Sequence, residues 1–112
     1  MIPSSEIIKN TINSNTILTH LNDVILIDDL EDYSVLFQPY TGETMGLNQT
    51  GLAIWRKIDG KSSMEEISVT ISNKFDIPIE IISNDILEFC KKLYRRFFVV
   101  KDKSEQMTET NK

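Results

Sequence analysis

Only one cysteine, Cys90, and one histidine, His20, occur in the 112 residues. A single thiol closes no internal disulfide, and one imidazole with one thiol cannot complete a Cys/His zinc set. Disulfide and zinc scaffolds are excluded, and no cofactor or metal is expected. Long apolar runs are missing as well, since stretches such as Val24 to Ile27 fall far short of the ~20 residues a membrane helix requires. The start, Met1-Ile2-Pro3-Ser4-Ser5-Glu6, has neither the basic nor the apolar region of a signal peptide. A cytoplasmic protein with no membrane partner is expected. Positive charge is also in deficit, with 12 Lys and Arg against 17 Asp and Glu and a formal net charge of −5. General affinity for nucleic acid is disfavoured, because it draws its free energy from clustered cations displacing counterions.

Catalytic signatures are equally scarce. Asp28, Asp29, Glu31 and Asp32 lack the glycine and closing glutamate of a calcium loop, and read as a solvated hairpin turn. Gly42-Glu43-Thr44-Met45-Gly46 contains two glycines but neither a phosphate-loop lysine nor a dinucleotide fingerprint. No nucleophile and base lie near one another, so the chain is not expected to be an enzyme.

What remains is one domain's worth of periodic sequence. Residues 1–22 mix isolated isoleucines with Ser, Asn and Thr and read as an arm or linker, with a short helix around Glu6 to Ile12. Residues 23–100 form the expected domain, and residues 101–112 a polar, disordered tail. Within the domain, Val24-Ile25-Leu26-Ile27 is a β-branched run, Tyr33 to Gln38 a second strand, and Glu43 to Leu47 a third after the turn formers Pro39-Tyr40-Thr41-Gly42. Three short strands with tight turns predict an antiparallel meander with an open edge.

After Leu47 the period becomes helical. Asn48 or Thr50 caps a helix carrying Ala53, Ile54, Trp55 and Ile58, with Gly60 beyond its end. Trp55, between Ile54 and Ile58, reads as a core or subunit contact ahead of a stacking platform. Ser63-Met64-Glu65-Glu66 is a capping-box pattern opening a second helix with Met64, Ile67, Ile71 and Phe75 on one face. A third helix is expected from Ser83 or Asn84 to about Phe97, with Ile86, Phe89, Leu93 and Phe97 as its core stripe. Phe98-Val99-Val100 follows as a short strand. The fold class is therefore α+β, a three-stranded antiparallel β-sheet followed by three α-helices.

Leu87, Cys90 and Tyr94 lie to one side of that core stripe and widen the apolar arc to roughly half the helix circumference, beyond what one core contact needs. Two readings compete. Either the sheet or the N-terminal arm covers them, or they line a groove in which an extended peptide pairs with the third strand. In the second reading the candidate site comprises Glu43, Thr44, Met45, Gly46 and Leu47 with Leu87, Cys90, Lys91, Tyr94 and Arg95. Lys91, Lys92, Arg95 and Arg96 are either the solvated end of a helix, where the dipole favours cations, or an attraction for an acidic peptide or partner enzyme. Cys90 by itself is read as a packing residue.

The element order and its junctions resemble the PqqD family. The match is carried by Val35-Leu36-Phe37 leading through Thr41-Gly42 to Leu47-Asn48-Gln49-Thr50-Gly51, by Ile54-Trp55 before Ile58-Asp59-Gly60, and by Ile67 to Phe75 followed by Asp85 to Leu93. It covers roughly Val24 to Val100. The resemblance implies a winged-helix-like domain that binds the leader of a ribosomally made precursor peptide as an added strand between the third strand and third helix. It also implies a partner that modifies the peptide, either a radical S-adenosylmethionine protein or, as for the similar lasso-peptide leader-binding B proteins, a leader peptidase. The arm and tail depart from a minimal member of the family and leave a homodimer open. The rival reading is a winged-helix transcription factor that sets Lys91, Lys92, Arg95 and Arg96 against phosphates.

Overall fold

The computed structural model describes residues 12–28 and 31–102. In chain order these form β1 (Leu18–His20), β2 (Ile25–Ile27), β3 (Ser34–Gln38), β4 (Glu43–Leu47), α1 (Gln49–Lys57), α2 (Met64–Phe75), α3 (Ile79–Arg95) and β5 (Val99–Lys101). The helix expected around Glu6 lies, up to Thr11, outside the described residues, as does the tail beyond Asp102.

Strands β2, β3 and β4 make the expected antiparallel meander, with β3 in the middle. Leu36 pairs with Met45 and Ser34 with Leu47, so the period of two turns Ser34, Leu36, Gln38, Met45 and Leu47 inward, where all are buried. Val35 and Phe37 point the other way, opposite Ile27 and Ile25 of β2. The β3–β4 turn closes with the Gly42 N–H donating to the Gln38 carbonyl at 2.8 Å. Gly42 adopts φ 77° there, in the left-handed region that a side chain would disfavour.

Each helix start has a local cause. The Asn48 side chain accepts from the Gly51 N–H at 2.8 Å and caps α1. Ser63 and Glu66 form the predicted capping box of α2, the Glu66 N–H donating to Ser63 Oγ at 3.2 Å and the Ser63 N–H to Glu66 Oε1 at 2.8 Å. Helix α3 begins at Ile79, one turn before the expected Ser83 or Asn84, directly after Pro78. The proline's φ of −55° already suits a helix, and its carbonyl accepts from the N–H groups of Ile81 and Ile82. A proline ending one helix and launching the next leaves no polar cap in the sequence to read.

The stretch expected to be an arm differs most. Leu18 is 0% exposed, Thr16 1% and Ile12 2%, and β1 pairs antiparallel with β5, Leu18 against Lys101 and His20 against Val99. Backbone N–H groups of Gly60, Met64 and Glu65 donate to the carbonyls of Leu18, Thr16 and Ser14. Residues 12–20 are thus sewn along the start of α2 and belong to the same core as the rest. Lys101, assigned to the tail from its charge, is likewise part of this ribbon. A three-residue strand whose partner lies eighty positions away leaves almost no periodic signal.

Between the layers, Leu36 and Leu47 from the sheet meet Ile54, Trp55 and Ile58 of the α1 region, Met64, Ile67 and Ile71 of α2, and Ile82, Ile86, Cys90 and Leu93 of α3, all buried in one cluster. Phe97, expected in the core stripe, is 60% exposed, whereas Phe98 is fully buried.

Candidate functional site

Strand β4 pairs with β3 on one side, and its other edge carries no strand among the described residues. Five residues of open edge span roughly 17 Å. Met45 and Leu47 commit their side chains to the core, whereas Glu43, Thr44 and Gly46 are exposed. This edge offers backbone donors and acceptors to a further strand, not a row of side chains.

Helix α3 approaches β4 through its C-terminal end. The Arg96 Nε lies 3.7 Å from Glu43 Oε1, and the Gln38 side-chain amide donates to the Phe97 carbonyl. Gln38 is 1% exposed and also accepts from the Tyr40 N–H at 3.0 Å, so it ties the helix end to the β3–β4 turn. At ~100° per residue, Asp85, Phe89 and Lys92 fall on the same side of α3 as Arg96. Arg96, at the end of that stripe, is the residue that reaches β4. Phe89 is half-buried against the core, and the three charged residues flank it.

The helix residues singled out from the sequence lie elsewhere. Leu87 lines a depression with Ser14, Met64, Glu65 and Ser68, on the side of α3 that meets α2. Tyr94 sits beneath Lys101 of β5, whose Nζ is 5.8 Å from the ring centroid. Cys90 is 0% exposed, and burial pushes its thiol pKa up to about 12. Lys91 is 3.7 Å from Glu88 on its own helix. Arg95, half a turn from the buried Ile86, points outward. The structure therefore brings Glu43 to Leu47 to one open edge but sets Leu87 and Tyr94 on the opposite flank, Leu87 beside α2 and Ser14 and Tyr94 beside β5, both half-buried. Phe89 reads from the sequence as core, against which it does pack, and Asp85 as solvated helix surface, so neither stands out as a candidate. Their common spacing with Lys92 and Arg96 was the available signal.

The end of α3 has an unusual cap. Phe98 N–H donates to the Leu93 carbonyl at 2.9 Å and Phe97 N–H to the Tyr94 carbonyl at 3.3 Å, the paired bonds of a Schellman motif. Phe97 occupies its left-handed position with φ 66°. Glycine is preferred there, and a bulky L-residue pays about 1 kcal/mol or more. Asp76 caps α2 at φ 56°, but aspartate tolerates that region far better than phenylalanine.

Together these features define a small α+β domain whose sheet leaves its longest free edge beside the end of its longest helix. The sequence model described as coenzyme PQQ synthesis protein D (PqqD) matches residues 33–99, well over half of the chain. The chain belongs to the PqqD family. A PqqA binding protein of Rhizobium meliloti (strain 1021) is 29% identical over 66 residues, 59% of this chain and 65% of that relative. The chain thus spans less than two thirds of that relative's length. Among solved structures, TbiB1 in complex with the TbiA(beta) leader peptide shares the fold with a TM-score of 0.63 and 22% identity, over 72% of this chain and 93% of that one. Among the described residues, no helix is long and apolar enough to cross a membrane.

Proposed function

We propose that this protein is a non-catalytic cytoplasmic adaptor that takes up the leader of a ribosomally synthesised precursor peptide as an added strand on β4 and presents it to a separate modifying enzyme. The observation that carries this reading is the open β4 edge, reached at Glu43 by Arg96 from the end of α3. Membership of the PqqD family supports it, as do a relative named for binding PqqA and a similar fold solved with a leader peptide.

Magnitudes decide what the groove must supply. A five-residue edge turns about two or three residues outward, enough for about four to six backbone hydrogen bonds with an antiparallel strand. At about 1 kcal/mol net each, these fall short of the ~8 kcal/mol of micromolar binding, before any cost of ordering the peptide. One or two apolar side chains of the leader packed against Phe89, worth about 1.5–3 kcal/mol each, close the gap. Backbone pairing supplies affinity, and side-chain contacts on the Phe89 side set register and sequence preference.

The DNA-binding alternative loses support, because Arg96 faces Glu43 and Lys91 faces Glu88. The deciding experiment is an amide NMR titration of isotopically labelled protein with a synthetic leader from the precursor peptide encoded nearest its gene. Saturable shifts at residues 43–47 and at Asp85, Phe89, Lys92, Arg96 and Phe97 are expected. Shifts confined to the Leu87–Tyr94 flank would reject this groove, and their complete absence would reject the adaptor.

A further inference from the structure

We propose that Phe97 is a specificity contact for the peptide, receiving an apolar side chain of the leader at the Glu43 end of β4; the inference rests on the adaptor reading above. Three observations converge on this residue. Its backbone is left-handed at φ 66°, in the cap position where glycine is the favoured residue. Its side chain is 60% exposed, so burial does not offset the conformational cost. The apolar contact that usually accompanies such a cap belongs to the next residue, and Phe98 and Leu93 are both 0% exposed in the core cluster. Nothing in the folding of α3 therefore calls for an aromatic ring at position 97.

Its placement supplies the reason. The Phe97 carbonyl is held by the Gln38 side chain, Gln38 is the strand partner of Glu43, and Arg96 reaches Glu43 from the adjoining position. The backbone at Phe97 is thereby anchored near the start of β4. A strand added to that edge has to pass it on entering or leaving. The left-handed turn lifts the side chain out of the helix surface, so the ring remains available to the passing peptide. A large apolar residue at the corresponding end of the leader, aliphatic or aromatic, matches it best.

The cap makes the test clean, because Phe97→Gly places the preferred residue in the left-handed position and removes only the ring. Binding of a fluorescein-labelled synthetic leader from the nearest encoded precursor would be followed by anisotropy, alongside thermal melting. The expected result is a melting temperature equal to or above that of the unsubstituted protein, with affinity reduced about tenfold. Phe97→Tyr should retain affinity within about threefold, since it keeps the ring and the same backbone. Unsubstituted protein and Phe97→Gly binding the leader equally well would overturn the role of Phe97 alone. Failure of the unsubstituted protein to bind would overturn the adaptor reading, and this inference with it.

Discussion

Leu87 and Arg96 stand on opposite sides of α3, the first beneath α2 and the second against Glu43 of β4. Nine steps of ~100° leave them half a turn apart, so one peptide strand on β4 cannot rest on both. Phe89→Ala should weaken leader binding by about tenfold, the loss of one apolar contact. Tyr94→Ala, on the far flank, should leave affinity within about twofold. Anisotropy titrations on variants whose melting confirms folding would decide; the reverse ranking would return the groove to the other flank.

Strand addition makes a demand on the ligand as well as on the protein. Alternate backbone N–H groups of an added strand face β4 and the rest face solvent. A set of leader peptides, each N-methylated at one position, should therefore bind with a loss that repeats every second residue. A smooth or absent dependence would indicate that the peptide binds by side chains alone. The protein stays unaltered, so folding does not confuse the outcome.

Cys90 supplies a test of burial. With the residue 0% exposed and its pKa pushed up to about 12 by desolvation, almost no thiolate exists near neutral pH. Native protein should resist iodoacetamide at about pH 8, whereas protein in concentrated urea should be alkylated rapidly. Ready labelling of the folded protein would place Cys90 at an accessible surface. Cys90→Ser should cost about 1–3 kcal/mol in chemical denaturation, because a buried hydroxyl replaces the thiol without an assured partner.

Much of this fold was legible because its signals are local. The bounds of β4 follow from the turn at Pro39 to Gly42 and the cap at Asn48, and the start of α2 from the Ser63–Glu66 pair, each readable within a few residues. What failed was non-local. The pairing of Leu18 with Lys101 joins two short segments from opposite ends of the chain, and no window contains both. The wheel of α3 gave the relative angles of Leu87, Phe89 and Arg96 correctly, yet which flank meets β4 depends on how the helix lies across the sheet. Phe97 was read as core because it continues an apolar period, and only the left-handed turn at its own backbone takes it out. For the candidate site, the open edge of β4 follows from local signals, whereas the neighbours of Leu87 and Tyr94, namely α2 with Ser14 and β5, are set by packing that no window of the sequence contains.

His20 lies flat on Trp55, with ring centroids 3.6 Å apart and planes within 3°, and its Nε2 is 2.8 Å from the Trp55 carbonyl oxygen. Since the carbonyl only accepts, Nε2 carries the proton in the neutral ring. Partial burial lowers the His20 pKa below its ordinary 6.5, outweighing the Trp55 carbonyl and Asp59, which raise it. A folded pKa below the unfolded one means that the unfolded chain binds more protons in the interval between them. Stability from this contact is thus fully present above the ordinary histidine pKa and is lost as pH falls below it and through the folded value. The contact joins β1 to α1, so acid should loosen the segment that holds residues 12–20 to the domain. Melting temperature should fall more steeply from about pH 7.5 to about pH 5 in the unsubstituted protein than in His20→Phe, which keeps a flat ring on Trp55 but does not titrate. Trp55 is the only tryptophan, so its fluorescence reports the same transition without labelling. Parallel melting curves for the two proteins across that range would show that the stacked imidazole does not control the acid response.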